Sequence, residues 1–161
     1  MTQIEIIADE LDRALRGQPW HGSSLCELLE GMTVDEAIQR PIPAGHNIWE
    51  IVMHITSWAN IATRRITGGK VAPYDGEDWP HAGEMTSERW VAIQAALRQS
   101  HENLREAVLA LTDERLAENA PQSQNSVGVL LHGVAQHAAY HGGQIALLKK
   151  TVSTKHRRAA L

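Results

Sequence analysis

Apolar residues recur along most of this chain at the three- and four-residue spacing of an amphipathic α-helix. No segment shows the sustained alternation of apolar and polar residues that is typical of a β-strand. The pattern predicts four long helices, each bounded by residues that favour a helix start or stop. They run from Thr2 to Gly17, from Asn47 to Gly68, from about Thr86 to Leu111 and from about Val127 to Lys150.

Capping boxes strengthen this interpretation, because a Ser, Thr or Asn followed three residues later by Glu satisfies free backbone N–H groups at a helix start. Such pairs occur at Thr2/Glu5 and Asn47/Glu50, and also at Ser24/Glu27 and Thr33/Glu36, which predict short helices within residues 20–46. A further short turn is predicted at 112–116.

Four amphipathic helices that each bury one face imply an all-α four-helix bundle with short extra helices in the loops. The length fits a single domain, which we place at residues 1–150, followed by a basic C-terminal tail at 151–161. The Gly- and Pro-containing connection at 68–85, which includes Pro73 and Gly76, is long enough to cross the bundle end. Short-loop rules therefore do not fix the order of the helices.

Composition excludes several classes of protein. The net charge of −4 disfavours a nucleic-acid binder, which needs a basic face to neutralise phosphates. Cys26 is the single cysteine, so no disulfide forms within the chain. Because we find neither a secretory leader pattern nor a run of about 18 apolar residues, we expect no membrane span and a cytoplasmic location.

Two of the nine histidines lie one turn apart on the fourth predicted helix. His141 occupies a position in the apolar stripe, and His137 lies four residues earlier, so both imidazoles can converge on one point. A pair at this spacing is a common metal-binding arrangement. The alternative is a core histidine bonded to a backbone carbonyl, with His137 merely exposed.

His54, at the edge of the apolar face of the second helix, is the third candidate ligand. Three neutral imidazoles suit zinc, nickel or a similar divalent cation, and leave coordination positions open for water or substrate. His101, on the apolar stripe of the third helix, is the best substitute for His54. The catalytic residues and the cofactor-binding residues stay unassigned.

Other residues near these histidines have more than one interpretation or no assigned role. Glu50 is a partner of a ligand, a base or an ordinary capping glutamate. Gln144 and Tyr140 flank the histidine pair on the fourth helix. Gly142 and Gly143 lower helix stability by about 1 kcal/mol each, which favours either a packed or occupied site beside His141 or a kink.

Three segments resemble the DinB/YfiT-like superfamily. Residues 131–145, which contain His137 and His141, look like its fourth-helix signature, and residues 47–55 with Trp58 are similar to its second-helix motif. Residues 20–25 resemble its first loop. The family's metal triad maps onto His54, His137 and His141, while Gly142 stands where the family usually has a basic residue.

The resemblance implies a four-helix bundle with a zinc- or nickel-type ion, a homodimer, and an enzyme that uses a small thiol such as bacillithiol or mycothiol. This makes a thiol-dependent S-transferase the leading hypothesis, with an unidentified small-molecule substrate. A metal-dependent hydrolase is the alternative, and it rests on general metal chemistry. The remaining alternatives are a metal-binding stress or DNA-damage-inducible protein without turnover, and a helical interaction module.

Overall fold

A computed structural model describes residues 1–69 and 77–159 of the chain, with side chains as far as Val152. Within these residues the protein is helical, and two residues, Asn119 and Ser126, form an isolated β-bridge. The all-α prediction is therefore confirmed. The helices are α1 (Gln3–Leu15), α2 (Leu25–Leu29), α3 (Val34–Ala37), α4 (Ile48–Thr67), α5 (Ser87–Leu109) and α6 (Val127–Ala159), with a 3-10 turn at Asp113–Ala117.

The helix starts follow the capping boxes in the sequence. In α1, α2, α3 and α4 the cap side chain accepts a hydrogen bond from the Glu backbone N–H three residues later, and the Glu carboxylate accepts one from the cap N–H. Gly68 ends α4 with φ of 79°, a left-handed conformation that glycine adopts without a Cβ penalty.

The four long helices form a ring in which α1 and α4 each pack against both α5 and α6. The 68–85 connection, of which Pro73 and Gly76 lie outside the described residues, therefore joins neighbouring helices. The connections that cross the bundle are 16–47, which carries α2 and α3, and 110–126. No helix among the described residues is long and apolar enough to cross a lipid bilayer.

The fourth predicted helix is longer than its pattern indicated, since the α6 backbone stays helical to Ala159 rather than ending at Lys150. The domain boundary at 150 stays a prediction. The side chains of Lys155, His156, Arg157 and Arg158 lie outside the described part.

Buried apolar side chains form two clusters at successive levels of the bundle. One contains Leu25, Trp49, Ile55, Leu97, Ala138 and Ile145, and the other contains Ile7, Leu11, Ala59, Leu104, Leu131 and Val134. Along each long helix, members of one cluster are followed by members of the other. His101 on α5 and His137 on α6 lie between the two clusters, and His54 lies just before the boundary on α4. A layer of imidazoles therefore interrupts the apolar core at this level.

His101 is the most enclosed member of this layer, with only 3% of its surface exposed. Its Nδ1 donates to the Leu97 carbonyl at 3.1 Å, while its Nε2 has no hydrogen-bond partner among the described residues. Burial lowers the pKa of His101 to about 4, and the bond to Leu97 only partly offsets this effect.

The glycine pair of α6 is not required for close packing. A Cβ on Gly142 would lie 3.6 Å from side-chain carbons of Leu25 and Leu28, an ordinary contact, and a Cβ on Gly143 would meet nothing within 4 Å. Assigned helical structure runs through both positions without interruption. Close packing therefore does not explain Gly143, while both glycines line a cavity with Leu28 and Lys149. The interpretations as an occupied site and as a kink stay predictions.

We predict that His101 makes stability depend on pH. Because its folded pKa is near 4 and its ordinary value is 6.5, the unfolded chain binds more protons between these values, so stability falls as pH drops through this window. The full effect is about 3 kcal/mol. In a His101→Leu variant, urea unfolding with a metal chelator present should show a clearly shallower loss of stability on acidification. An unchanged slope would contradict the prediction, and His132→Ala, at a partly exposed position, serves as the control.

We predict that Gly143→Ala stabilises the protein by about 0.5–1 kcal/mol, because alanine loses less backbone entropy in a helix and the added methyl meets open space. Gly68→Ala should lower stability, because its φ of 79° is strained for alanine. Chemical denaturation of both variants measures the difference, and a destabilised Gly143→Ala protein would disprove the idea.

Candidate metal centre

His54, His137 and His141 come together at the polar layer of the bundle. His54 projects from α4, and the other two project from successive turns of α6. One ring nitrogen from each residue lies within 4.8 Å of the others. The Nε2 atoms of His54 and His137 are 2.9 Å apart. The convergence expected from the sequence is confirmed, and His54 needs no substitute.

The tautomer of His54 is fixed by a backbone carbonyl. Its Nδ1 lies 2.5 Å from the carbonyl oxygen of Asp78, and a carbonyl can only accept, so Nδ1 carries the proton. The Asp78 Oδ1 atom is 3.5 Å from the same nitrogen. The Nε2 of a neutral His54 therefore presents a lone pair to the other two histidines.

Gln144 orients His141 in the same way. The Nδ1 of His141 donates to Gln144 Oε1 at 2.7 Å, which leaves its Nε2 as the nitrogen with a lone pair. Tyr140 is 65% exposed and packs edge-on against the His141 ring, with 5.0 Å between ring centroids. Of the two flanking residues named from the sequence, Gln144 is thus the one that contacts a candidate ligand by a hydrogen bond.

Trp79 stacks on the face of the His54 ring. Its indole stacks on His54 at 3.8 Å between centroids and on His46 at 3.5 Å, with both pairs nearly parallel. Sequence reasoning missed Trp79 and Asp78 because both lie in an irregular connection, where no periodicity indicates which side chains turn inward.

All three histidines are held in the neutral state. Burial, together with the neighbouring His141 and His54 rings, lowers the pKa of His137 to about 4. Burial is also the main cause that lowers the pKa of His54 and of His141. Neutral imidazole is the form that binds a metal ion, so the environment prepares these groups as ligands at neutral pH.

The donor set fits a divalent cation. The Nε2 of His54 accepts a hydrogen bond from His137 Nε2 at 2.9 Å, and a shared cation would replace this single bond with bonds to all three rings. Zinc–imidazole bonds of about 2.0–2.1 Å in a tetrahedral shell separate the nitrogens by roughly 3.3 Å. This value lies between the 2.9 Å of the His54–His137 pair and the 4.8 Å within which all three nitrogens lie. The hydrogen bonds from His54 to Asp78 and from His141 to Gln144 match the outer partners that orient metal-binding histidines.

Two cavities reach the triad from different sides. One, of about 480 Å³, contains His54 and His141 and is otherwise mostly apolar, with Ile51, Trp79 and Leu148 among its lining residues. The other, of about 540 Å³, contains His54 and His137 and is lined by more polar side chains, including Arg65, Asp78 and Asn125. A small molecule can therefore approach the triad from either side.

The remaining candidates have structural partners. The Glu50 carboxylate accepts hydrogen bonds from the Asn47 backbone N–H and from Arg40, so the capping interpretation is confirmed. Burial raises the pKa of Glu50, but the hydrogen bonds outweigh this effect and the net pKa is lowered. His132 pairs with Glu10 at 2.8 Å, away from the triad. Cys26 is half-buried and packs against the first apolar cluster.

Comparisons with known proteins agree with this architecture. A crystal structure of a conserved protein from Enterococcus faecalis is similar, with a TM-score of 0.73 and 18% sequence identity over 96% of this chain and 99% of that one. This likeness shows the fold alone. No curated protein matches the sequence. The profile of the DinB superfamily matches residues 20–145, a segment that carries all three triad histidines. The chain belongs to the DinB superfamily.

Proposed function

We propose that the protein is a metal-dependent enzyme that binds one divalent ion at His54, His137 and His141 and acts on a small thiol, as an S-transferase. One observation carries the proposal: three neutral imidazoles direct nitrogens to within 4.8 Å of one another beside two cavities. Three protein ligands leave coordination positions open, which is typical of catalytic rather than structural sites.

Zinc and nickel are the metals that the donor set favours. Imidazole nitrogen suits both ions, whereas calcium and magnesium prefer oxygen ligands. Of the described residues, only the three histidines form a group with metal-binding spacing. The nearest carboxylate, on Asp78, accepts a hydrogen bond from Trp58 Nε1 at 2.8 Å and supports His54 from outside the triad.

A bound ion of this kind would lower the pKa of a thiol or a water molecule in its open position. The protein's contribution is an apolar cavity that surrounds this position on the His141 side, where no charged Asp, Glu, Lys or Arg side chain occurs among the described lining residues. The low polarity of the cavity wall disfavours water that would compete with the substrate, and it favours a substrate with apolar groups.

Two groups in the apolar cavity can exchange protons with a substrate. The His46 ring lies on the far face of Trp79 from His54, and its Nδ1 is 3.3 Å from Glu50 Oε2. Tyr140 contributes a phenol at the exposed edge. The stacked arrangement holds His46 in place while leaving it 46% exposed, as suits a group that passes protons to solvent.

The thiol chemistry is supported by the family resemblance and by the affinity of sulfur for borderline cations. Hydrolysis by a bound water and metal binding without turnover are the competing outcomes. The homodimer and the cytoplasmic location stay predictions.

We predict that the purified protein binds about one zinc or nickel ion per chain, as measured by elemental analysis after dialysis. His137→Ala and His141→Ala should each weaken binding by roughly 100-fold or more, because loss of even an outer partner of a ligand costs about 10- to 100-fold. His132→Ala is the matched control on the same helix, since His132 pairs with Glu10 instead. Equal metal content in all four proteins would disprove the site.

We predict that a small thiol binds the cobalt-substituted protein and produces a thiolate-to-metal charge-transfer band. The band should be absent in His141→Ala and retained in His132→Ala. Turnover assays with electrophilic thiol acceptors and with esters then separate the classes. Ester cleavage without thiol binding would favour the hydrolase, and metal uptake without turnover would favour a passive metal-binding protein.

A further inference from the structure

The polar cavity on the His137 side has features that the metal site does not need. It lies between α4, α6 and the residues that precede α6, and the lining residues relevant here are Trp58, Arg65, Asp78, Asn125, Gln136 and His137. Its volume of about 540 Å³ accommodates a small metabolite. This cavity shares His54 with the apolar one but reaches the triad through different residues of α6, with His137 in place of His141.

Arg65 brings a guanidinium cation into this cavity, which also contains the carboxylate of Asp78. Within the described ranges it forms no ion pair, whereas its neighbour Arg64 pairs with Glu77 at 2.7 Å. The guanidinium lies over the Trp58 ring, 5.9 Å from the centroid, and its buried Nε has no hydrogen-bond partner. A partly buried charge that lacks a counter-ion is costly, so this position favours an anionic ligand.

The Trp58 indole joins the guanidinium to the triad. Its ring centroid is 6.0 Å from that of His137 and 6.5 Å from that of His54. The indole N–H donates to Asp78 Oδ1 at 2.8 Å, which fixes the ring in the cavity wall. A ligand that lies on this wall contacts Arg65 at one end and the imidazoles at the other.

Two side-chain amides in the same cavity are available for hydrogen bonds. Neither the Asn125 nor the Gln136 side chain has a hydrogen-bond partner among the described residues, although both line the cavity. Ser123 Oγ accepts from the Asn125 backbone N–H at 3.1 Å and so stabilises the loop that presents this amide. Together these groups offer donors around the guanidinium.

Asp78 is the opposing charge in the cavity. Its Oδ1 is already engaged by the Trp58 indole and lies 3.5 Å from His54 Nδ1, so this oxygen is directed towards α4. Among the described residues Asp78 forms no salt bridge with Arg65, whose guanidinium lies over the Trp58 ring instead and can pair with a bound anion.

We propose that this cavity is a binding site for a small anion, in which Arg65 holds a carboxylate or phosphate group and Trp58 supports the remainder of the ligand against His137. A further step rests on the proposed function: the anion belongs to the thiol co-substrate, while the apolar cavity on the His141 side receives the other substrate. The two reactants would then meet at the triad, each from its own cavity.

The anion site is tested on the metal-free protein, so the result does not depend on metal binding. The probes are succinate, inorganic phosphate and neutral succinamide, and the readout is the NMR shift of the Trp58 indole N–H, identified by its loss in Trp58→Phe. We expect saturable shifts with at least one anion and none with succinamide. Whether succinate or phosphate binds more tightly identifies the anionic group.

Arg65→Gln should weaken anion binding by roughly tenfold or more, because a charge-assisted hydrogen bond is lost. Arg64→Gln is the matched control, since Arg64 does not line the cavity and already has a partner. Added salt should weaken the wild-type interaction. Absence of a saturable shift with either anion, or equal affinity in Arg65→Gln, would overturn the site.

The co-substrate step is tested on cobalt-loaded protein with mercaptopropionate and mercaptohexanoate, each against the mercaptoalcohol of equal length. We expect at least one acid to bind about tenfold more tightly than its alcohol, with the preference lost in Arg65→Gln and kept in Arg64→Gln. Equal binding of acids and alcohols would overturn the shared-ligand arrangement. If no thiol binds, the proposed thiol chemistry fails, whereas the anion site stands or falls on the metal-free experiment.

Discussion

A buried neutral imidazole has one N–H and one nitrogen lone pair. The candidate site in the core of this protein depends on the directions in which the N–H groups and lone pairs of its histidines are held. The N–H of His54 is taken by the Asp78 carbonyl, and that of His141 by Gln144. Both lone pairs are thereby directed to the same small volume. Burial keeps the rings neutral, so the arrangement holds at the pH at which a metal ion competes best with protons.

The bundle provides the rigidity that this arrangement requires. His54 and the pair His137/His141 lie on adjacent helices, each anchored by apolar residues above and below the imidazole layer. The irregular segment that follows α4 completes the site. The Asp78 carbonyl accepts a hydrogen bond from His54 Nδ1, and the Trp79 indole stacks on the face of the His54 ring. Regular elements thus set the spacing of the nitrogens, while the loop sets their orientation.

An interrupted core has an energetic cost. His101 occupies the same layer without a partner for its Nε2, and burial makes its protonation unfavourable. The apolar clusters on both sides of the layer offset this cost. His54 lines both the apolar cavity at His141 and the polar cavity with Arg65 at His137. The triad is therefore the point at which two environments of different polarity meet.

The sequence by itself determined the helices and the candidate ligands. Helical periodicity and four capping boxes located the helix starts, because caps and apolar stripes are local properties of the chain. The spacing of His137 and His141 indicated their convergence for the same reason. The position of His54 at the edge of an apolar face made it the third candidate, and the resemblance favoured it.

Only the tertiary structure decided how the helices are ordered and what surrounds the triad. The roles of Asp78, Trp79 and Arg65 depend on contacts between segments distant in sequence, and a loop has no periodicity from which such contacts can be inferred. For Gly143 a local pattern suggested a tertiary contact that does not exist. The cost of glycine in a helix suggested a close approach by another element, but nothing lies within 4 Å of a Cβ placed at this position. Spacing along one helix is fixed by local geometry, whereas the partners of a side chain are fixed by which elements the whole fold brings beside it.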